Sequence, residues 1–176
     1  MIKKLKNQDG FTLLEVIISI AALSVLSVFI LQMFVTSSNA NMRAQDIDIA
    51  VTKALAAIEP FKALDDERDL ALLADGYAHA EATGDGFMLT QAYARNKDGA
   101  NAFWEKTATD GGVYVVYVTI QKAAGQTDAA DVGVLYTMDV RVVDRSKRVN
   151  LFAGGSDNAE VELVRYTADR YLKNKQ

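Results

Sequence analysis

Apolar residues run from Phe11 to Val35 almost without a break, interrupted only by Thr12, Glu15, Ser19, Ser24, Ser27 and Gln32. About 20 apolar residues cover the hydrocarbon core of a bilayer as a helix, so the run predicts a transmembrane span. It is longer than an ordinary secretory h-region, and no small-residue cleavage site follows it. Past Val35 the pattern takes a helical period. Ala40, Ala44, Ile47, Val51, Ala54, Leu55 and Ile58 recur at spacings of three and four, while Asp46, Lys53 and Glu59 fall largely off that stripe. Pro60 is the only proline in the chain. Proline is disfavoured inside a helix and restricts the residue before it, so the long helix is expected to end or kink near Glu59.

The pattern is weakest over residues 61–112. Ala63 to Ala82 is rich in Ala, Leu, Asp and Glu and predicts a second short helix, with Leu70, Leu73 and Tyr77 on one face and Gly76 a candidate early terminus. Gly84-Asp85-Gly86 and Asn96–Gly99 read as turns, with Phe87–Arg95 between them as a strand or an extended loop. Phe103 and Trp104 are expected to pack onto the head.

Clear period-two alternation follows. In Val113–Lys122, Tyr114, Val116, Val118 and Ile120 share one face; in Val132–Val143, Val134, Tyr136, Met138, Val140 and Val142 do. Such alternation marks strands buried on one side. Asp144–Lys147 predicts a hairpin connection to a third strand around Arg148–Ala153, and Gly154–Asn158 a loop. Glu160–Thr167 fits a fourth strand, although Val161, Val164, Ala168 and Tyr171 also allow a helix.

These elements predict an α+β fold: a long N-terminal helix, half membrane-spanning and half amphipathic, packed on a small antiparallel β-sheet head. The expected division is residues 1–10 as a leader, 11–35 as the transmembrane part, 36–60 as the amphipathic part, 61–112 as a variable region and 113–176 as the sheet and C-terminal region.

Charge orients the span. Lys3, Lys4 and Lys6 precede it, which predicts a cytoplasmic N-terminus and a head outside. The chain has a formal net charge of −4 and no basic patch dense enough to neutralise several phosphates, which argues against nucleic-acid binding. It has no cysteine, which excludes thiol catalysis and thiolate metal sites. His79 is the only histidine, and no Gly-rich phosphate loop has the strand–turn–helix context it needs. Asp65, Asp66, Glu67 and Asp69 could attract a hard cation, but their spacing is not that of an EF-hand loop, and a solvated helix-starting run explains them. Asp157, Asn158 and Glu160 read the same way. No catalytic residue, cofactor or metal site is predicted. Tyr114 and Tyr136 belong to the expected core, whereas Tyr117 and Trp104 stay open as recognition residues.

One charge does not fit a plain anchor. Glu15 stands near the start of the apolar run, and a charged side chain near the centre of a membrane helix costs roughly 2.5–3.5 kcal/mol, less towards the interface. Cleavage between Gly10 and Phe11 would create an α-amino group four residues before Glu15. Positions i and i+4 share a helix face, so amine and carboxylate could pair within one chain or between neighbours.

The combination of basic head, Gly10–Phe11 junction, Glu15 and long apolar helix resembles the class III leader of type IV pilins and pseudopilins. The resemblance covers residues 1 to about 35. It implies cleavage after Gly10 by a prepilin peptidase, methylation of Phe11, and a role for Glu15 in assembly. It further implies other pilin or pseudopilin subunits, a membrane assembly platform and the lipid bilayer as partners. Major pilins often carry helix-breaking Gly and Pro in the span; Ser24 and Gln32 occupy the corresponding region here, which fits a minor subunit better. The expected function is a non-enzymatic filament subunit. The alternatives are a tip adhesin or substrate-recruiting module on a pilin-type anchor, and a single-pass membrane protein that never assembles.

Overall fold

The computed structural model describes residues 9–84, 86–96, 103–108, 111–123, 133–146, 148–149, 156–157 and 160–173. Helix α1 spans Asp9–Ala63 and takes part in two compact units, Met1–Ala44 and Gln45–Gln176.

In the first unit every described residue from Leu13 to Ala44 is exposed, including the large apolar side chains from Leu13 to Val35. The serines of the run do not waste their polarity. Ser19, Ser24 and Ser27 donate their hydroxyls to the carbonyls of Glu15, Ile20 and Leu23 at 2.7, 2.8 and 2.8 Å. Bonds back to residue i−4 satisfy the hydroxyls within the helix itself, which lets them sit in an apolar environment.

The second unit is a sheet with a helix across one face. A 3-10 helix covers Glu67–Gly76, followed by β1 (His79–Thr83), β2 (Gly86–Arg95), β3 (Trp104–Thr107), β4 (Tyr114–Lys122), β5 (Val134–Asp144), β6 (Arg148–Val149), β7 (Ser156–Asp157) and β8 (Val161–Leu172). The main sheet is six-stranded in the order β1-β2-β4-β5-β8. β3 pairs with β2 beyond β1, at Ala92–Arg95, and every pairing is antiparallel. The alternation of β4 and β5 is realised as expected. Tyr114, Val116, Val118 and Ile120, with Val134, Tyr136, Met138, Val140 and Val142, enter one core cluster with Leu89, Tyr93, Ala168 and Leu172. Against this face α1 sets Ala50, Ala54, Ala57, Ile58 and Phe61. Alanine lets the helix approach the sheet closely, and the fully buried Phe61 fills the remaining depth.

The structure corrects several local expectations. The helix does not end at Glu59 but carries Pro60 in its last turn and runs to Ala63. Burial of Phe61, worth about 1.5–3 kcal/mol, offsets the hydrogen bond proline cannot make. Of the expected apolar stripe only Ala54 and Ile58 are buried. Ile47 and Leu55 are 36% and 44% exposed, and Asp46, expected on the polar side, is buried. Two stripes overlap on this helix, and the one with small residues faces the sheet.

The helix expected over Ala63–Ala82 is a 3-10 helix plus strand β1. Asp66 caps the 3-10 helix by accepting from the Arg68 amide at 3.0 Å, Gly76 ends it as expected, and Leu70 is buried with Leu73 and Tyr77 packed beside it. Ladder pairing of His79–Thr83 to Gly86–Thr90 overrides the helical preference of Ala and Glu there. The turn at Gly84 has φ +27°, and a side chain at Gly86 would meet the Ile120 carbonyl oxygen at 1.8 Å, so glycine is required where β2 crosses β4. Phe87–Arg95 is a strand, as is the C-terminal segment, where β8 pairs along β5 with a bulge between Val142 and Val143. The third expected strand survives as β6, which pairs with β7 in a separate two-stranded sheet; β7 therefore replaces part of the loop expected at Gly154–Asn158. Residues 150–155 and 158–159 lie outside the described residues, as do most of the turn at Asn96–Gly99 and the expected strand start at Val132.

Candidate functional site

Two sets of residues carry candidate chemistry, one in each unit. Gly10, Phe11 and Glu15 fall within α1, so backbone positions 11 and 15 are one helical turn apart. Glu15 is exposed, and from Leu13 to Met42 it is the only ionisable side chain. Among the described residues one helical stretch, Leu13–Ala63, is long and apolar enough to cross a membrane, and its most apolar window is wholly unburied. A carboxylate on an otherwise apolar and uncovered surface has no partner of opposite charge in its own span.

The leader decides what kind of chain this is. The family model described as the prokaryotic N-terminal methylation motif matches residues 5–31. The N-terminal segment is type IV pilin-like. The matched segment includes the Gly10–Phe11 junction, Glu15 and most of the apolar run. A motif of this kind implies processing by a prepilin peptidase and assembly with other pilins. No curated protein and no solved structure matches the chain significantly. The head of this chain must therefore be read from its own residues.

In the head, polar and aromatic groups brace the helix against the sheet. Arg95, at the end of β2, donates to Asp46 of α1 at 3.2 Å. Tyr114 of β4 stacks on Trp104 of β3 with ring centroids 3.9 Å apart and planes 11° from parallel, and Tyr93 tilts against Trp104 at 6.2 Å. Lys53 of α1 lies 4.9 Å from the centre of the Tyr93 ring, a cation–π contact. Burial, followed by the charge of Asp46 and a hydrogen bond to it, pushes the Tyr114 phenol up to about 12. Burial also raises Tyr93, and burial with Tyr93 nearby pushes Tyr77 up to about 12. These phenols are neutral at physiological pH. The buried Asp46 and its Arg95 partner escaped the sequence reading, although the spacing of Asp46 to Ala50 and Ala54 placed it on the small-residue face.

The residues held open for recognition are engaged elsewhere. Trp104 is buried in the aromatic stack, as expected of a head-packing residue, whereas Phe103 is 45% exposed and does not pack inward as expected. Tyr117 is half-buried on the opposite sheet face, where its hydroxyl accepts from Arg145 and donates to Glu160 at 3.2 Å. Three carboxylates of the acidic run are engaged in structure. Asp65 pairs with Arg170 at 3.0 Å, Glu67 lies 3.5 Å from Lys122 and accepts from Tyr136, and Asp66 caps the 3-10 helix. His79 stands exposed on the edge strand β1. Among the described residues no group of three or more His, Asp or Glu is placed to hold a metal ion.

Proposed function

We propose that this chain is a non-enzymatic minor pilin or pseudopilin. It is inserted with its N-terminus in the cytoplasm, cut after Gly10, methylated at Phe11 and assembled from the cytoplasmic membrane into a pilus-like or secretion-system filament. The observation that carries the reading is the coincidence of the methylation motif over residues 5–31 with a single carboxylate, Glu15, on an uncovered apolar helix. The mature α-amino group of Phe11 is the natural partner for Glu15, in the same subunit or a neighbour. A desolvated carboxylate gains strongly from such a partner and is costly without one.

The remaining proposals follow from particular residues. The three leader lysines support the orientation. The continuous helix through Ser24 and Gln32, with hydroxyls bonded internally, supports a subunit whose span stays helical, hence a minor role. Exposed Ile47 and Leu55 and half-buried Val51 make a second apolar stripe that neighbouring subunits would cover. The proposed division of labour is residues 1–10 as leader, 11–35 as span, 36–60 as the link to the head, and the rest as the head.

The test is Glu15→Val expressed in the native host. Membrane insertion and leader removal are expected to match the wild type, while recovery in the sheared filament fraction falls at least about tenfold, the consequence of leaving one desolvated charge unpaired. Wild-type recovery of this variant in filaments overturns the assignment.

A further inference from the structure

A cavity of about 390 Å³ opens in the head between α1, the 3-10 helix and strands β2 to β5. This is within the range of small-ligand sites. Its floor is apolar, built from Leu73, Leu89, Val116 and Met138, with Tyr77 and Tyr93 as aromatic walls. Among the described residues, two cations stand in the lining, Lys53 from α1 and Lys106 from β3, and no carboxylate does. Glu105, the chain neighbour of Lys106, is occupied in accepting from Asn96 at 2.9 Å.

Neither lysine has an ion-pair partner among the described residues. Lys53 lies over the Tyr93 ring, and Lys106 donates one N–H to the Gly76 carbonyl at 2.8 Å, bridging β3 to the end of the 3-10 helix. An ammonium has three donors, so Lys106 keeps two for a ligand and Lys53 keeps all three. Gln91, a buried polar group of the lining, donates its amide N–H groups to the Ala92 and Thr107 carbonyls at 2.8 and 3.3 Å and, being uncharged, leaves the charge of the lysines unopposed. Two uncompensated positive charges above an apolar floor complement one kind of molecule, a small anion with an apolar body.

We infer that this cavity is a binding site for a small organic acid, an apolar ring or chain of about ten non-hydrogen atoms ending in a carboxylate, held by Lys53 and Lys106. The apolar body lies on Leu89, Val116 and Met138, and the carboxylate takes N–H donors from both lysines. The site is independent of the leader and of filament assembly, so it can fail while the proposed function stands.

The test uses the full chain in lipid nanodiscs, with phenylpropionate as probe and phenylpropionamide as its uncharged counterpart, read by saturation-transfer NMR against empty nanodiscs. Phenylpropionate is expected to bind saturably, with the amide at least about tenfold weaker. Lys53→Gln and Lys106→Gln should each weaken the acid about tenfold and leave the amide unchanged. Ala56→Phe is the second variant: Ala56 lines the cavity yet is exposed, so the larger side chain obstructs the mouth without entering the core, and it should abolish binding of both probes. Equal binding of acid and amide, retention of the acid's affinity in both lysine variants, full binding by Ala56→Phe, or the same signal on empty nanodiscs would each overturn the proposal.

Discussion

Residues 13–35 and residues 45–63 belong to one helix, yet they satisfy their apolar surfaces by opposite means. The first stretch presents Leu, Ile, Val and Phe on every side and buries none of them within its own chain. The second turns one small-residue face, made of Ala50, Ala54 and Ala57 with Ile58 and Phe61, against the sheet and leaves Ile47 and Leu55 exposed. A surface that is apolar all round needs an apolar solvent, whether lipid or neighbouring helices. A narrow small-residue face needs one closely fitted partner, here the sheet. Charge is treated differently too. Glu15 has no counter-charge in its own span, whereas Asp46 is buried against Arg95. The first stretch therefore finds no cover within its own chain, whereas the second buries one face against the sheet.

Breaking the second stretch should have the largest effect. Phe61 is fully buried, and Phe61→Ala is expected to cost the head about 3–5 kcal/mol, read as a lowered Tm in the near-ultraviolet dichroism of the Trp104–Tyr114 stack. A mild loss would mean that the last turn of α1 is not anchored as described.

A matched pair of substitutions sharpens the comparison. Ala54→Leu forces methylenes into the helix–sheet contact and should cost about 1–3 kcal/mol. Ala21→Leu, the same change on the uncovered stretch, should leave head stability within about 0.5 kcal/mol of the wild type. Equal responses from the two sites would remove the distinction between the stretches.

The smallest effect is confined to alkaline pH. Tyr114 is held up to about 12 in the folded head against an ordinary value of 10.0, with burial the leading cause and Asp46 next. Above the ordinary value the unfolded chain releases a proton that the folded head retains. The stabilisation is therefore fully present below pH 10 and is lost as pH rises towards 12. Thermal melts should show that decline. Asp46→Asn should lower the midpoint of tyrosinate absorbance, because it removes one of the charges that raises Tyr114; an unchanged midpoint would separate Asp46 from Tyr114.

What was legible in the sequence follows from how strongly each signal is specified. A two-residue period cannot be shifted by one without turning every side chain over, so the inward faces of β4 and β5 could be assigned residue by residue. The long apolar helix was legible because a run of about two dozen apolar residues has few other ways to satisfy its backbone. The facing side of α1 was not, because hydrophobicity favours Ile47 and Leu55 while close packing favours alanine, and only the sheet decides between them. The Ala- and Glu-rich stretch after Ala63 misled for a related reason: β1 is held by its ladder to β2, a partner that local propensity does not see. The Asp46–Arg95 pair joins residues 49 apart in the chain, a separation at which no sequence spacing signals contact.

The account turns on whether the leader is used. Intact-mass and N-terminal peptide analysis of the protein from membranes of its native host tests this most directly. The account predicts a chain beginning at Phe11 and carrying one added methyl group. A chain that still begins at Met1, in a host with an active prepilin peptidase, would contradict it.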